Sequence, residues 1–124
     1  MDYNKIINLV QSTKDIVFNQ QLKKSVNMKG SADFVTAVDL EISRYLKNEL
    51  YLIDSTIGFM SEEEKGEIKP RRWILDPIDG TTNFIHAIPC FAISLALKHH
   101  DEVTAAVLFN PITNELYYAD SYLP

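Results

Sequence analysis

From Tyr3 to about Lys24 the apolar residues Ile6, Leu9, Val10, Ile16, Val17 and Leu22 recur at three- and four-residue intervals, with polar residues between them and neither proline nor glycine. That spacing gathers them on one stripe and predicts an amphipathic helix. Lys29, Gly30 and Ser31 break the pattern. Thr36-Ala37-Val38-Asp39 then reads as a capping box opening a second helix through about Leu50, with Val38, Ile42, Tyr45, Leu46 and Leu50 turned inward. After Asp54 the character changes: Thr56, Ile57, Phe59 and Met60 form a short β-prone run that meets the acidic cluster Glu62-Glu63-Glu64. A charged loop containing Gly66 and Pro70 follows.

Trp73-Ile74-Leu75 predicts a short apolar strand, stopped by Pro77, which cannot donate to a ladder. Cys90 to Lys98 is apolar on both faces, with Ala92, Ser94 and Ala96 alternating with Phe91, Ile93, Leu95 and Leu97, the pattern of a strand covered on both sides. His99-His100-Asp101-Glu102 predicts a hairpin loop, Val103 to Phe109 the returning strand, Asn110-Pro111 a turn, and Glu115 to Ala119 a third strand. Helices followed by an antiparallel sheet predict an α+β fold, with two N-terminal helices packed on a mostly antiparallel sheet. The sequence stops at Tyr122-Leu123-Pro124, soon after a strand, which reads either as an interrupted domain or as a last strand at a sheet edge.

Composition adds limits to this picture. With 124 residues, 46% hydrophobic and 23% charged, the chain has the make-up of one ordinary globular domain. A chain of this size can bury a core without disulfides or structural zinc. Cys90 is the single cysteine, so no internal disulfide is possible. Asp2, Lys5 and Lys14 interrupt the N-terminal apolar residues before a leader-like run forms, and nothing approaches the ~20 apolar residues that span a bilayer. These features predict a cytoplasmic protein with no membrane association. The net charge of -5 argues against a nucleic acid polymer as partner, because binding a phosphate backbone needs a basic face. An acidic protein that handles phosphate must bring cations to do so.

The chemistry concentrates in Asp76-Pro77-Ile78-Asp79-Gly80-Thr81-Thr82-Asn83-Phe84. In a regular strand, residues three apart point to opposite faces, so Asp76 and Asp79 could not share a ligand there. Pro77 ending the strand and Gly80 allowing a positive φ would let the chain turn and bring the carboxylates together. Paired carboxylates repel unless a cation neutralises them. Magnesium is often held by one or two carboxylates plus water and substrate phosphate, and the Ile78 carbonyl could add an oxygen. Gly80 to Asn83 could open a short helix whose free N–H groups face a phosphate. The plainer reading is a turn, with Asp79 as a helix cap and Asp76 as a solvated strand end. Strand, motif and a separate acidic cluster in this order favour a site.

At these residues the chain resembles the inositol monophosphatase family, whose signature Asp-Pro-x-Asp-Gly-Thr-x-Asn-Phe stands as Asp76 to Phe84. Asp33-Phe34-Val35-Thr36-Ala37-Val38-Asp39 is similar to the family's element before its second helix, and Ser61-Glu62-Glu63 to its Gly-Glu-Glu. Val107 to Tyr118 is similar to its hairpin with an Asn-Pro turn. The resemblance implies the first half of a layered αβαβα sandwich, with residues 1–124 as its amino-terminal metal-binding domain and the carboxy-terminal half absent. It implies magnesium-dependent hydrolysis of a small phosphate monoester such as inositol monophosphate, using two or three Mg2+ ions. A cytoplasmic, lithium-sensitive homodimer is implied as well. A nucleotide 3′-phosphatase or fructose-bisphosphatase of the same superfamily, or a noncatalytic metal-binding paralogue, are the alternatives.

By the same resemblance, Glu62, Asp76 and the Ile78 carbonyl would hold the activating metal, and Asp76 with Asp79 a second. Thr81, hydrogen-bonded to Asp39, would orient and help deprotonate the attacking water. Glu62, Ile78, Asp79, Gly80 and Thr81 would line the substrate, with the backbone at Gly80 and Thr81 cradling phosphate. Ser61 departs from the usual glycine and the loop between Glu64 and Trp73 is short, which leaves Glu63 and Glu64 as alternatives to Glu62, the favoured ligand. The family's Trp-Asp element is absent, which implies an incomplete active site in this chain alone. Asp39 also fits a plain capping role. Lys29 fits either a solvated lysine or part of a phosphate-facing lid. His86 reads as structural, His99 and His100 as solvent-facing, Arg71 and Arg72 as flanking a sheet edge, and Cys90 as apolar packing.

Overall fold

The computed structural model describes residues 2–19, 31–61, 69–79 and 91–121, with residues 31–36 described through their backbone alone. Two helices, α1 (Tyr3–Ser12) and α2 (Ser31–Ile53), precede five strands: β1 (Gly58–Ser61), β2 (Arg71–Asp79), β3 (Ala92–His99), β4 (Glu102–Asn110) and β5 (Glu115–Asp120).

The Asp2 carboxylate caps α1 by accepting from the Asn4 N–H at 3.0 Å, and Ile6 and Val10 face the core. The single long helix expected from Tyr3 to Lys24 is interrupted at Thr13, with helical structure resuming over 14–19. The Ser12 and Thr13 hydroxyls donate to the carbonyls of Leu9 and Val10 at 2.5 and 2.6 Å. Such side-chain donors compete with the backbone for helix acceptors and disturb the turn. The rest of the expected helix, 20–24, lies outside the described residues.

Helix α2 starts at Ser31, so Thr36 and Asp39 are interior positions and the capping-box reading is corrected. No proline or glycine stands between Ser31 and Ile53, and nothing in the segment stops the helix at either expected boundary. Val38, Ile42, Leu46 and Leu50, each a turn apart, are buried as predicted. At the helix exit, Thr56 donates through its N–H and its hydroxyl to Asp54 Oδ1. These two bonds hold the Asp54 carboxyl below the usual carboxylate range.

The strands form one sheet in the order β1-β2-β3-β4-β5, with β1 parallel to β2 and the other neighbours antiparallel. Phe59, Trp73, Leu75, Ile93, Leu95, Leu97, Ala105, Val107 and Phe109 alternate along their strands and pack as one core with Ile6, Val10, Val38, Ile42, Leu46 and Leu50. The helices therefore cover one sheet face, and the fold is α+β. On the opposite face Ala92, Ser94 and Ala96 are half-buried, and Leu108 and Tyr117 are 40% and 62% exposed. The two-sided cover expected for β3 is thus present on one side among the described residues. Arg71 and Arg72 open β2, a central strand, so their expected place beside a sheet edge is corrected. β5 is an edge strand, and its Tyr118 ring lies 5.7 Å from that of Tyr3.

The hairpin at His99 to Glu102 forms as predicted, with both histidines exposed and their rings stacked at 4.7 Å. The Asn110 side-chain oxygen accepts from the Ile112 and Thr113 N–H groups at 3.0 and 3.3 Å, which is how an Asx turn reverses the chain. Among the described residues no helix is long and apolar enough to cross a membrane.

Leu97, fully buried in a central strand, is expected to lose about 2–5 kcal/mol of stability on replacement by alanine, whereas Tyr117→Ser should change it by less than about 0.5 kcal/mol. Urea unfolding of the two variants checks the assignment of covered and open faces.

Candidate functional site

The register between β2 and β3 decides where the motif acids point. Pairing runs residue by residue from Arg71 opposite His99 to Asp76 opposite Ser94, and resumes with Asp79 opposite Ala92. Three steps along β2 are matched by two along β3, so β2 carries one extra residue, a β-bulge. Ser94 and Ala92 share a face, and Asp76 and Asp79, opposite them, share it too. Burial follows the bulge: Asp76 is half-buried, Pro77 and Ile78 are buried in succession, and Asp79 is exposed.

The expectation that Pro77 ends the strand is therefore corrected, because β2 continues to Asp79. Pro77 is tolerated because it sits in the bulge, where the ladder is interrupted and its missing N–H leaves no regular bond unmade. The sequence reading brought the two carboxylates together by a turn. The structure does so by reversing the alternation within the strand.

The neighbouring elements converge on the same end of the sheet. β1 runs parallel to β2 with Ser61 opposite Leu75. Ser61 directly precedes Glu62 in the chain, and Leu75 directly precedes Asp76. Helix α2 runs the opposite way. Its Ser43 hydroxyl lies 3.0 Å from that of Ser61 at the carboxyl end of β1. Farther along, Lys47, Leu50 and Tyr51 line a cavity of about 240 Å³ with Gly58 and Phe59 from the beginning of that strand. Asp39, half-buried and four residues before Ser43, lies about 6 Å farther along the helix axis in the direction of the strand ends.

Of the residues expected to form the site, Asp39, Asp76, Ile78 and Asp79 are described. Lys29, Glu62, Glu63, Glu64, Gly80, Thr81, His86, Cys90 and the short helix expected over 80–83 lie outside the described residues. Among the described residues no group of three or more His, Cys, Asp or Glu side chains comes together. The described part of the site is thus a carboxylate pair on one sheet face, with Asp39 on the helix beside the strand ends. Its donors are hard oxygens, the set that suits magnesium rather than a thiophilic metal.

Asp79 also borders an open groove of about 330 Å³ with Phe91, Leu108, Asn110, Glu115 and Tyr117. Sequence reasoning missed this groove. Its walls come from four strands, and only their register shows that these side chains meet.

Residues 3–122 match the model of the inositol monophosphatase family. The chain belongs to the inositol monophosphatase family. The inositol-1-monophosphatase of Rhizobium meliloti (strain 1021) is 46% identical over 106 residues, which is 83% of this chain and 40% of that protein. A Thermotoga maritima fructose-1,6-bisphosphatase/inositol-1-monophosphatase is 42% identical over 91 residues, 73% of this chain and 36% of that one. A solved Thermotoga maritima IMPase structure superposes with a TM-score of 0.81 at 31% identity, over 98% of this chain and 49% of its own. The chain therefore spans half or less of the length of these family members.

Asp79→Asn should shift the unfolding free energy by less than about 0.5 kcal/mol, because the side chain is exposed and its replacement keeps shape. A loss of several times that amount in urea unfolding would show that the carboxylate serves the fold.

Proposed function

We propose that this chain is the amino-terminal, metal-binding half of a magnesium-dependent phosphomonoesterase that hydrolyses inositol monophosphate to inositol and inorganic phosphate. The observation that carries the proposal is the bulge in β2, which turns Asp76 and Asp79 to one face at the end of the sheet where β1 leads into Glu62. Family membership supports the reaction class, and the name of the Rhizobium meliloti relative supports the substrate.

In this reading Glu62, Asp76, the Ile78 carbonyl and Asp79 would hold two or three Mg2+ ions, which would neutralise charge at the phosphate and lower the pKa of a water. Thr81, hydrogen-bonded to Asp39, would orient the attacking water and pass its proton to the Asp39 carboxylate. The water oxygen would add to phosphorus in line as the bond to the inositol oxygen breaks, and the departing oxygen would take a proton from solvent water to leave as the alcohol. The backbone at Gly80 and Thr81 holds the phosphate oxygens, while Glu62, Ile78 and Asp79 complete the substrate site. Asp39 fits this role better than a cap, since α2 begins two turns before it. A cytoplasmic homodimer sensitive to lithium belongs to the same proposal. So does completion of the site by the part of the fold that lies beyond the matched region in the relatives.

A second reading, hydrolysis of fructose 1,6-bisphosphate, is favoured by the double name of the Thermotoga maritima relative. The test uses these 124 residues joined to the remainder of the family fold. Phosphate release from inositol 1-phosphate should require Mg2+, vanish with a chelator, and fall about 100-fold or more in Asp79→Asn. Unchanged turnover in that variant contradicts the site, and faster release from fructose 1,6-bisphosphate favours the second reading.

A further inference from the structure

We propose that the cavity between the carboxyl end of α2 and the beginnings of β1 and β2 binds a small aromatic carboxylate, held by Trp73, Lys47 and Lys69. It lies at the opposite end of β1 from the carboxylate pair and does not rest on the phosphatase reading.

The cavity, about 240 Å³, has aromatic and aliphatic walls: Leu50 and Tyr51 from α2, Phe59 from β1 and Trp73 from β2. Phe59 and Trp73 stand opposite each other in the parallel ladder, which puts their side chains next to each other on the helix-covered face. Trp73 is 3% exposed, and its indole N–H is buried without an acceptor. An indole nitrogen can only donate, and a buried donor with no partner carries an uncompensated desolvation penalty. An acceptor brought into the cavity removes it.

Lys47 and Lys69 border the same cavity, one from α2 and the other from the segment just before β2. The Lys69 carbonyl accepts from Arg72 Nη1 at 3.1 Å, which anchors the backbone on that side. Both lysines also have interactions within the protein. An ammonium group carries three donors and keeps its charge through such contacts, so it can serve a further acceptor.

These features select the ligand. Two ammonium groups and an indole N–H are all donors, so its polar part must accept, and a carboxylate accepts several bonds while carrying the complementary charge. Apolar and aromatic walls select a flat apolar body. The volume lies below the roughly 300–1,000 Å³ of drug-sized sites, which gives room for one ring rather than a nucleotide.

Trp73 is the single tryptophan of the chain, so the 15N-labelled protein has one indole N–H resonance, and that resonance reports on the site. The test is its titration in the 124-residue chain with benzoate, alongside benzyl alcohol and sodium chloride at matched concentrations. Benzoate should move the indole resonance saturably with a Kd of about 0.1–10 mM, benzyl alcohol should bind at least about fivefold more weakly, and chloride should leave the resonance in place. Lys47→Ala and Lys69→Ala, with folding checked from the amide spectrum, should each raise the benzoate Kd by about threefold to tenfold. The proposal is overturned by an indole resonance that shows no saturation up to about 50 mM benzoate, by a shift that chloride reproduces, by equal affinity for benzyl alcohol, or by an unchanged Kd in both folded lysine variants. A benzoate response centred on Leu108 and Tyr117 of the open groove, with the indole unmoved, overturns it as well.

Discussion

The period-two alternation of side chains along β2 is the constraint on which the proposed site depends. A regular strand would send Asp76 and Asp79 to opposite faces, one into the apolar core beneath the helices. There an unpaired carboxylate would carry a desolvation penalty of several kcal/mol. One extra residue between Asp76 and Asp79 removes the conflict. The core keeps Pro77 and Ile78, and both carboxylates stay on the face away from the helices. Fold and chemistry are reconciled by a single defect in the ladder, and the proline that seems to end the strand occupies that defect.

Direction completes the arrangement. Because β1 and β2 run parallel, two acidic segments leave the sheet at the same end, and because α2 runs against them, Asp39 lies toward that end as well. Short antiparallel pairings then build outward to β5 and leave a groove beside Asp79. The described carboxylates Asp39, Asp76 and Asp79 are hard-oxygen donors of the kind that suit hard divalent cations.

Much of this was legible in the sequence, for identifiable reasons. The four-residue spacing of Val38, Ile42, Leu46 and Leu50 gave the buried face of α2, and the alternation from Phe91 to Leu97 gave the buried face of β3. The interruption at Thr13 depends on side-chain hydroxyls finding helix carbonyls, which periodicity does not report. The start of α2 was misplaced because a Thr-x-x-Asp pattern looks the same inside a helix as at its beginning. The bulge was hidden because it is a property of two strands: Pro77 signals an irregularity, but only β3's register shows that the strand continues through it. The Ser43–Ser61 contact joins residues eighteen apart and carries no local signature at all.

The most direct test of the shared-face carboxylate pair is a substoichiometric Mn2+ titration of the 15N-labelled chain followed by NMR. Paramagnetic broadening falls steeply with distance, so it locates the ion without assuming any activity. The account predicts that the amides of Asp76, Asp79 and Ser61 broaden first, followed by Asp39, while Asp54 and the Asp101–Glu102 turn at the opposite end of the sheet stay sharp. Broadening centred on Asp54 or on the Asp101–Glu102 turn would contradict it.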